Sequence, residues 1–301
     1  MFRVNSRKKV PCIICWTGKN YKPLQLAGSC VRCTNPSMLV NPKRVTMSGN
    51  GSSTDTISVF FPAYNDAQSL PSLLEATFAT LTGRFTRFEV IVVNDGSYDS
   101  TAEVLEELQR HYGPRLRVIT HAANRGYGGA LRSGFSAARN DLVFYTDGDG
   151  QYDPAELVLL YERFGPTTGF VNGYKLERHD PWHRILIGKI YNAFARALFG
   201  VRIRDIDCDF RLIRRAILDD ITLTSTSGTI CVELVRKLEL SGWKFAEVGV
   251  HHYPRKHGRS QFFRLRSLLT TLFELIRLRF QLSFGGARTR TKEAIRKCLS
   301  L

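Results

Sequence analysis

The chain of 301 residues lacks any uninterrupted apolar stretch of about 18 residues, which is the minimum for a membrane-spanning helix. Its N-terminal residues include no apolar segment long enough for a signal peptide, and its seven cysteines, an odd number, are not spaced like the disulfide framework of a secreted protein. These features predict a protein of the reducing cytosol. If a membrane is involved, we expect the protein to lie on the membrane surface.

Positive charge is concentrated at the two ends of the chain. The formal net charge is +16, of which residues 1–56 contribute +8, residues 57–253 contribute −2 and residues 254–301 contribute +10. A near-neutral middle with basic ends predicts an anionic partner: nucleic acid, an acidic membrane surface or a phosphorylated substrate. Nucleic acid is not expected, because the middle lacks aromatic residues interleaved with Lys and Arg.

Four cysteines near the N-terminus form two C-x2-C pairs: Cys12, Cys15, Cys30 and Cys33. Paired spacing of this kind is typical of a structural zinc ribbon, in which four thiolates close a tetrahedral Zn²⁺ site. The surrounding residues are basic and poorly periodic, however, and the segment after Met47 is rich in Gly and Ser. An N-terminal extension that folds little is the alternative, and both alternatives stay open for residues 1–55.

From Thr56 onward, apolar strand patterns alternate with amphipathic helix patterns. Each strand pattern ends in polar, glycine-rich residues, which is typical of repeated βα units. Such units predict a doubly wound, mainly parallel α/β sheet, in which right-handed crossovers bring the strand ends to one edge. The first four predicted strands cover residues 57–61, 88–93, 116–120 and 142–146.

The fourth predicted strand ends in an acidic loop, in which Asp147 and Asp149 flank one glycine and Asp153 precedes Pro154. Ligands of open α/β sheets bind at the carboxyl ends of the strands. Mg²⁺ and Mn²⁺ take one or two oxygen ligands from the protein and the rest from water and phosphates. A cation site at Asp147 and Asp149 is therefore one interpretation, and an acidic turn before a helix is the other. For Asp153 we favour the turn, with Asp153 as the N-cap and Pro154 at the first helical position.

The loops after the first three strands carry further candidates. Asp66 and Asp95 can accept hydrogen bonds from a nucleobase or a ribose. The sequence from Asn124 to Gly126 opens a helix, where backbone N–H groups and the helix dipole favour a phosphate or a carboxylate partner. Each signal has an ordinary alternative, because glycine clusters form tight turns, Asp95 suits a turn cap and Asp66 suits the surface.

The order and spacing of four motifs are more specific than any one of them: F-P-A-Y-N-D, V-N-D-G-S-x-D-S-T, N-R-G-Y-G-G-A-L-R-S-G-F and T-D-G-D-G-Q-Y-D-P. Together they resemble the family 2 glycosyltransferases, which have the GT-A fold, and within them the dolichyl-phosphate mannose synthase-like branch of polyprenyl-phosphate glycosyltransferases. The resemblance extends from about Thr56 to Phe263 and implies a GT-A catalytic domain over residues 56–263. It does not cover the N-terminal cysteines.

The resemblance implies roles for individual residues in binding a nucleotide-sugar donor and a cation. Asp147 and Asp149 match the D-x-D motif, and Gln151 matches a glutamine beside the Mg²⁺ or Mn²⁺ that Asp149 binds. Position 94 is often Asp in the family but is Asn94 here, which leaves its role open. The implied donor-binding residues are Pro62, Ala63, Tyr64, Asp66, Asp95, Arg125, Gly126, Asp147 and Ser260.

The segment 205–211 resembles the family's D-x-x-x-G-F-R segment, with Asp209 where Gly is common. Arg211 is a candidate for binding a phosphate of the donor or the acceptor. The roles of Asp205, Asp207 and Asp209 stay open between pairing with arginines and contacting the acceptor.

The R-x-x-G-x-S sequence from Arg255 to Ser260 matches a mobile loop that closes over the pyrophosphate in the family. We expect Arg255 to bind phosphate there, because a guanidinium matches two phosphate oxygens at once.

Two later segments combine apolar and basic residues at helical spacing. Residues 182–199 fit a core-facing helix, or, as the resemblance implies, an interfacial helix at a lipid boundary. Residues 262–282 have apolar positions along a helix with arginines at its ends, which is typical of a membrane-surface helix. We therefore predict C-terminal amphipathic interfacial helices, with a basic membrane-surface helix and tail over residues 264–301.

These features predict an inverting, divalent-metal-dependent glycosyltransferase that moves a mannose- or glucose-like sugar from a nucleotide donor to polyprenyl (dolichyl or undecaprenyl) phosphate. We expect it on the cytoplasmic, inner face of the membrane, with Asp149, Arg211 and Arg255 as catalytic residues that stabilise the leaving nucleoside diphosphate. A phosphate acceptor is already an anion and needs no strong general base, whereas a sugar hydroxyl needs one. The alternative is a family 2 enzyme of polysaccharide or glycolipid synthesis that uses an aspartate of segment 205–211 as base. A more remote alternative is a zinc-containing nucleic-acid binding protein.

Overall fold

The computed structural model describes residues 55–177, 182–255, 271 and 273–282, and the structural statements that follow refer to these residues. The domain bounds predicted at residues 55 and 263 stay predictions. Five of the predicted site residues lie outside the described part of the chain: Cys12, Cys15, Cys30, Cys33 and Ser260.

Seven strands form one sheet in the described part of the chain. In chain order they are β1 (Thr56–Ala63), β2 (Arg87–Asn94), β3 (Leu116–Thr120), β4 (Leu142–Thr146), β5 (Thr168–Lys175), β6 (Phe210–Arg214) and β7 (Lys244–Val250). Their order across the sheet is β3-β2-β1-β4-β6-β5-β7. Strands β2 and β3 follow β1 on one side, and β4 lies on its other side with the later strands beyond it. The order of the strands therefore reverses between β1 and β4.

The sheet is mainly parallel, which confirms the predicted fold class. Strands β1, β2, β3 and β4 pair in parallel, as do β5 and β7, whereas β6 runs antiparallel to both β4 and β5. The antiparallel register places Phe210 opposite Thr146. As a result, the residues that precede β6 lie at the same edge as the residues that follow β4.

The helices connect the strands and cover both faces of the sheet. They are α1 (Leu70–Leu81), α2 (Thr101–Tyr112), α3 (Tyr127–Ala137), α4 (Leu157–Glu162), α5 (Trp182–Phe199), α6 (Arg215–Asp220) and α7 (Thr229–Leu240), together with a helical segment at 273–282. Asp153 accepts a hydrogen bond from the N–H of Ala155 at 2.9 Å, just before the 3-10 turn Pro154–Glu156. The predicted N-cap role of Asp153 is therefore confirmed.

Alternate side chains of the central strands point into two separate hydrophobic clusters. Phe60 on β1 packs with residues of α3, α7 and the segment 273–282, whereas Val59 and Phe61 pack with residues of α1, α2 and α4. All three side chains are fully buried. A strand that is buried on both faces needs the continuous apolar run that the sequence shows, because helices cover each side of the sheet.

Helix α5 is apolar on more than one side. Ala195 and Phe199 are buried in the core, as expected of a core-facing helix, while Ile187, Ile190 and Phe194 are exposed. The exposed apolar side chains are compatible with the interfacial alternative as well. Within the described residues, no helix combines the length and hydropathy that crossing a membrane requires.

The segment 273–282 is amphipathic with an unusual outer face. Leu275 and Leu278 are buried in the core, whereas Phe273, Ile276 and Phe280 are 68%, 47% and 61% exposed. A helix that needed only to cover the core would present polar side chains outward. Packing against the described residues therefore does not explain the outer face of this segment.

Candidate functional site

The carboxyl ends of β1, β2, β3 and β4 meet at one edge of the sheet, as the sequence predicts. The antiparallel β6 contributes its amino-terminal end to the same edge, and β5 and β7 contribute their carboxyl ends. The loops that follow β1 and β4 flank the reversal of strand order, where open α/β sheets form their ligand crevice.

The loop after β1 and the acidic loop after β4 are locked together through Gly148. Its N–H donates to the carbonyl of Pro62 at 3.2 Å, and its carbonyl accepts from Oγ of Ser69 at 2.8 Å. A Cβ at position 148 would lie 2.7 Å from the Pro62 carbonyl oxygen, so the contact requires glycine. This contact fixes Asp147 and Asp149 on either side of Gly148.

Asp66 lies at the same edge of the sheet, in the loop after β1. Its Oδ2 accepts a hydrogen bond from the N–H of Tyr64 at 2.9 Å. Burial raises the pKa of Asp66 to about 6, and the carboxylate of Asp149 adds to the rise, while the Tyr64 N–H and the Arg255 guanidinium oppose it. The rise in pKa is therefore due mainly to burial, and repulsion from Asp149 is a smaller contribution.

Asp95 is buried, and its Oδ1 is held by two groups. The N–H of Arg125 donates to it at 2.9 Å, and Nδ1 of His121 lies 2.5 Å away. Nε2 of His121 lies 2.8 Å from Oγ of Ser133 on α3, which completes a buried chain of polar contacts. Within the described residues Oδ2 of Asp95 makes no hydrogen bond. His121 was not predicted from the sequence, where a lone histidine after a strand carries no signal.

Asn94, whose role the sequence left open, serves the turn after β2. Its Oδ1 accepts a hydrogen bond from the N–H of Ser97 at 3.2 Å. Asn94 is buried, so its side chain shapes the loop that carries Asp95.

Three N–H groups around the start of α3 have protein partners. Arg125 donates to Asp95, Gly126 donates to Oδ1 of Asn124 at 2.9 Å, and Gly128 donates to the carbonyl of Thr226 at 2.9 Å. The sequence left either a phosphate or a carboxylate as the partner of these N–H groups, and the structure shows the carboxylate of Asp95 at the Arg125 N–H. Contact of Gly126 with the donor therefore stays a prediction without geometric support, whereas the side chain of Arg125 is exposed and able to reach a ligand.

The two carboxylates of the acidic loop have different surroundings. Oδ1 of Asp147 accepts a hydrogen bond from the hydroxyl of Tyr127 at 2.7 Å. Burial raises the pKa of Asp147 well above its usual value, the carboxylates of Asp209 and Asp149 raise it further, and the Tyr127 hydrogen bond lowers it. Asp149 is buried, accepts from the N–H of Gln151 at 3.0 Å through Oδ1, and pairs through Oδ2 with the guanidinium of Arg255.

Gln151 joins the acidic loop to the residues after β7. Its side-chain Nε2 donates to the backbone carbonyl of Tyr253 at 3.0 Å, and its backbone carbonyl accepts from the N–H of Tyr253 at 2.8 Å. These bonds hold Arg255 beside Asp149. The structure thus brings together the predicted cation ligands and the predicted phosphate-binding arginine, although they are separated by more than 100 residues.

Arg211 has a different position from the one its predicted role requires. It is fully buried, and its Nε and Nη1 donate at 2.5 Å to Oδ1 of Asn172 and Oδ1 of Asp209. Nη1 also contacts the hydroxyl of Tyr145, and Nη2 donates to the carbonyl of Ile206. All three guanidinium nitrogens have partners, so the geometry supports a structural role in holding Asp209 and gives no support to the predicted phosphate contact.

The three aspartates of segment 205–209 accept hydrogen bonds. Oδ1 of Asp205 accepts from the N–H of Asp207 at 3.2 Å, and Oδ2 of Asp207 accepts from Nδ2 of Asn192 at 2.7 Å. Asp209 pairs with an arginine, as one sequence alternative proposed. Nζ of Lys175, which the sequence analysis did not single out, donates to the carbonyl of Asp207 at 3.0 Å.

The oxygen ligands available at this site fit a divalent cation whose remaining ligands are phosphate oxygens and water. In the described part of the chain, no three His, Cys, Asp or Glu residues are grouped so that they could hold a metal ion. A Mg²⁺ or Mn²⁺ site needs only one or two carboxylates when phosphates and water complete the shell. Burial is the main cause of the raised pKa values of Asp66 and Asp147, the charge of Asp149 adds to both, and a nearby cation would favour the ionised carboxylates.

Comparisons with known proteins agree with this arrangement. The undecaprenyl-phosphate 4-deoxy-4-formamido-L-arabinose transferase of Pseudomonas aeruginosa (strain LESB58) is 31% identical over 222 residues, which cover 74% of this chain and 64% of that protein. The protein of the same name from Aeromonas hydrophila subsp. hydrophila is 29% identical over 75% of this chain and 68% of its own length. The chain thus spans 64% of the length of the first of these relatives.

Solved structures show the same fold. Glucosyl-3-phosphoglycerate synthase from Mycobacterium tuberculosis, in complex with Mn²⁺, uridine diphosphate and glucosyl-3-phosphoglycerate, superposes with a TM-score of 0.54 at 19% identity, covering 74% of this chain and 78% of that one. A second structure of that enzyme, with Mg²⁺ and uridine diphosphate, gives a TM-score of 0.55 at 19% identity, covering 73% and 79% of the two chains.

The model of the family described as glycosyl transferase family 2 matches residues 58–222, more than half of the chain. The match includes β1 to β4, the acidic loop with Asp147 and Asp149, and β6. The recognition made from the four motifs is therefore confirmed, and the chain belongs to glycosyl transferase family 2.

Proposed function

We propose that this protein is an inverting glycosyltransferase that moves a sugar from a nucleotide-sugar donor to a polyprenyl phosphate, with a divalent cation. The observation that carries the proposal is the acidic loop, where Asp149 is held at the reversal of strand order beside Arg255. The relatives named as undecaprenyl-phosphate sugar transferases support the choice of acceptor.

The donor binds across the loops after β1, β2 and β4. The oxygen Oδ2 of Asp95 faces the base or the ribose, because Oδ1 is held by His121 and the Arg125 N–H. Pro62 and Ala63, the last two residues of β1, line the same crevice together with Tyr64, the first residue of the following loop. Asp147 contacts the ribose or the sugar.

Asp149 and Gln151 would hold the cation. When bound, Mg²⁺ or Mn²⁺ neutralises the negative charge that develops on the leaving nucleoside diphosphate. In the structure Arg255 neutralises Asp149 instead. With a cation held at Asp149, Arg255 would no longer be needed to neutralise this carboxylate, and its guanidinium would be available to pair with the phosphates.

The acceptor attacks the anomeric carbon as a phosphate anion, so the chain needs no strong general base. The hydrogen bonds already made by Asp205, Asp207 and Asp209 agree with this, because a general base needs an oxygen directed at the acceptor proton. Lys175, whose charge lowers the pKa of Asp147, is placed to balance the acceptor phosphate.

The acceptor lipid implies that the protein works at a membrane surface, on the cytoplasmic face. The exposed apolar side chains Phe273, Ile276 and Phe280 fit the lipid boundary, and residues 254–301 carry a net charge of +10 that attracts anionic lipids. Arg277 lies among the exposed apolar side chains and adds a cation on the same face.

Transfer assays with the full chain test the proposal. Nucleotide-activated mannose, glucose and 4-deoxy-4-formamido-L-arabinose are each offered with a short polyprenyl phosphate or with sugar-hydroxyl acceptors, with and without Mn²⁺. We expect a lipid-phosphate sugar product that depends on the cation. Transfer only to sugar hydroxyls would replace the acceptor with the polysaccharide or glycolipid alternative, and full activity in a chelator would overturn the role of the cation.

A further inference from the structure

The carboxylate of Glu274 faces inward from the helical segment whose outer face is apolar. Its Oε1 accepts a hydrogen bond from Oγ1 of Thr226 at 3.1 Å, and its Oε2 accepts one from Oγ of Ser227. Leu275 and Leu278, which follow Glu274 in the chain, anchor the segment in the core. The segment 273–282 is thus tied to residues 226–227 by polar contacts as well as by packing.

Residues 224–227 are held from a second direction by Glu233 on α7. Its two carboxylate oxygens accept from the N–H of Thr224 at 3.0 Å, and Oε2 accepts from the N–H of Ser225 at 2.8 Å. Glu233 is fully buried. Glu233 and Glu274 together accept hydrogen bonds from four consecutive residues, 224–227, so the backbone of this short connection has a defined position.

That backbone packs directly on the first residues of α3. A Cβ at Gly126 would lie 2.6 Å from the carbonyl oxygen of Thr226, and a Cβ at Gly128 would lie 2.4 Å from that of Ser225. The N–H of Gly128 also donates to the carbonyl of Thr226. Contact this close requires glycine, so a movement of residues 225–226 must move the start of α3 as well.

The residue between these two glycines is Tyr127, whose hydroxyl donates to Oδ1 of Asp147 at 2.7 Å. Tyr127 is the first residue of α3, and its backbone is fixed on both sides by the glycine contacts. A continuous path of hydrogen bonds and close packing therefore leads from Glu274 through Thr226 and Tyr127 to Asp147.

We propose that Glu274 is a positioning residue for the donor site: by bracing residues 226–227 against α3, it sets the place of the Tyr127 hydroxyl and thereby the orientation of Asp147. The same helix presents Phe273 and Phe280 to the lipid surface, so the brace couples the membrane-facing helix to the donor crevice. The inference rests on the proposed function for the identity of the ligand that Asp147 contacts and for the lipid surface that Phe273 and Phe280 face.

Binding of uridine diphosphate and guanosine diphosphate in the presence of Mn²⁺, measured by titration calorimetry on the full chain, tests the brace. Glu274→Ala and Tyr127→Phe should each weaken nucleotide binding about tenfold, since each removes a hydrogen bond that involves a carboxylate. The double variant should also bind about tenfold more weakly, because both changes break one path; independent sites would multiply to about a hundredfold. Glu274→Gln, which keeps partners for both hydroxyls, should restore most of the affinity.

Glu107→Ala, which removes an exposed acid from α2, is the matched control and should bind like the parent chain. With an active donor, the brace variants should raise the donor KM and leave the acceptor KM unchanged. Nucleotide affinity unchanged in Glu274→Ala, or multiplicative effects in the double variant, would overturn the inference.

Amide hydrogen exchange separates failure of the brace from failure of the proposed function, because it needs no ligand. Glu274→Ala should speed exchange in peptides that cover residues 125–130 and 145–150, while Glu107→Ala should not. If the parent chain binds neither nucleotide, the proposed function fails, and the exchange result alone decides for or against the brace. Unchanged exchange at both peptides would contradict it.

Discussion

Replacement of Arg211 by methionine distinguishes the structural role of this residue from the catalytic role that its motif implies. The guanidinium is fully buried and pairs with Asp209 while also donating to Asn172 and Ile206. Methionine fills much of the same volume but removes the charge, which leaves Asp209 as an uncompensated buried carboxylate. Removing one partner of a buried pair typically costs about 3–5 kcal/mol in the free energy of unfolding.

A loss of that size is a large fraction of the stability of a domain, which is typically about 5–15 kcal/mol. For a domain of this length it corresponds to a fall in Tm of roughly 10 °C. Thermal unfolding followed by circular dichroism measures the fall. The double variant Arg211→Met with Asp209→Asn should recover part of the stability, because it removes both members of the pair.

The matched control is the same substitution at Arg255, whose side chain is 29% exposed. Arg255→Met should lower Tm less than Arg211→Met, because solvent reaches the 29% exposed Arg255 side chain and screens its pair with Asp149, whereas Arg211 is fully buried. It should, however, reduce transfer activity strongly, because the proposed phosphate contact is lost. The reasoning is refuted if Arg211→Met unfolds at the parent temperature and loses only activity, since Arg211 would then act on a substrate phosphate.

Four further results are expected. Asp149→Asn should lower kcat by at least about a hundredfold while Tm is retained; cation-stimulated activity near the parent level would contradict its role. Glu89 has a lowered pKa, because hydrogen bonds from three donors outweigh the burial that raises it. Glu89→Gln should therefore cost about 1–2 kcal/mol of stability at pH 7, a difference that disappears in urea titrations as the pH falls through the folded-state pKa. Gly128→Ala should destabilise the chain by about 1–3 kcal/mol, because its Cβ would meet the Ser225 carbonyl; an unchanged Tm would contradict the close contact. Changing both Phe273 and Phe280 to Ser should weaken binding to anionic vesicles at least about tenfold in a flotation assay, and unchanged binding would contradict the lipid-facing surface.

The parts of the fold that the sequence predicts correctly are those set by short stretches of chain. Strands β1 to β4 each combine an apolar run with polar, glycine-rich residues, and both features are local. The parallel order then brings the strand ends to one edge. For this reason the positions of Asp66, Asp95, Asp147 and Asp149 at the edge could be predicted without the structure.

The partners of those residues could not be predicted, because they come from distant parts of the chain. His121 reaches Asp95 across 26 residues, Tyr127 reaches Asp147 across 20, and Arg255 reaches Asp149 across 106. His121 lies in no recognisable motif. Tyr127 and Arg255 lie in motifs that the sequence shows, but those motifs do not tell which carboxylate each side chain contacts. The same limit applies to the helix start at Gly128, where glycine spacing suggested a phosphate site but the glycines admit a neighbouring backbone.

The interpretation of Arg211 was misleading for a topological reason. Three acids alternate before β6, which suggested a polar, ligand-facing segment, and nothing in the local sequence shows that β6 enters the sheet antiparallel between β4 and β5. That insertion places Arg211 opposite Tyr145 in the interior of the sheet. A buried guanidinium must find acceptors there, and Asp209 is the one that carries the compensating charge. Burial is the main cause of the raised pKa of Asp147, and the charge of Asp209 adds to it, so the pairing of Arg211 with Asp209 links this arginine to the acidic loop. The predicted contact of Arg211 with a substrate phosphate stays a prediction.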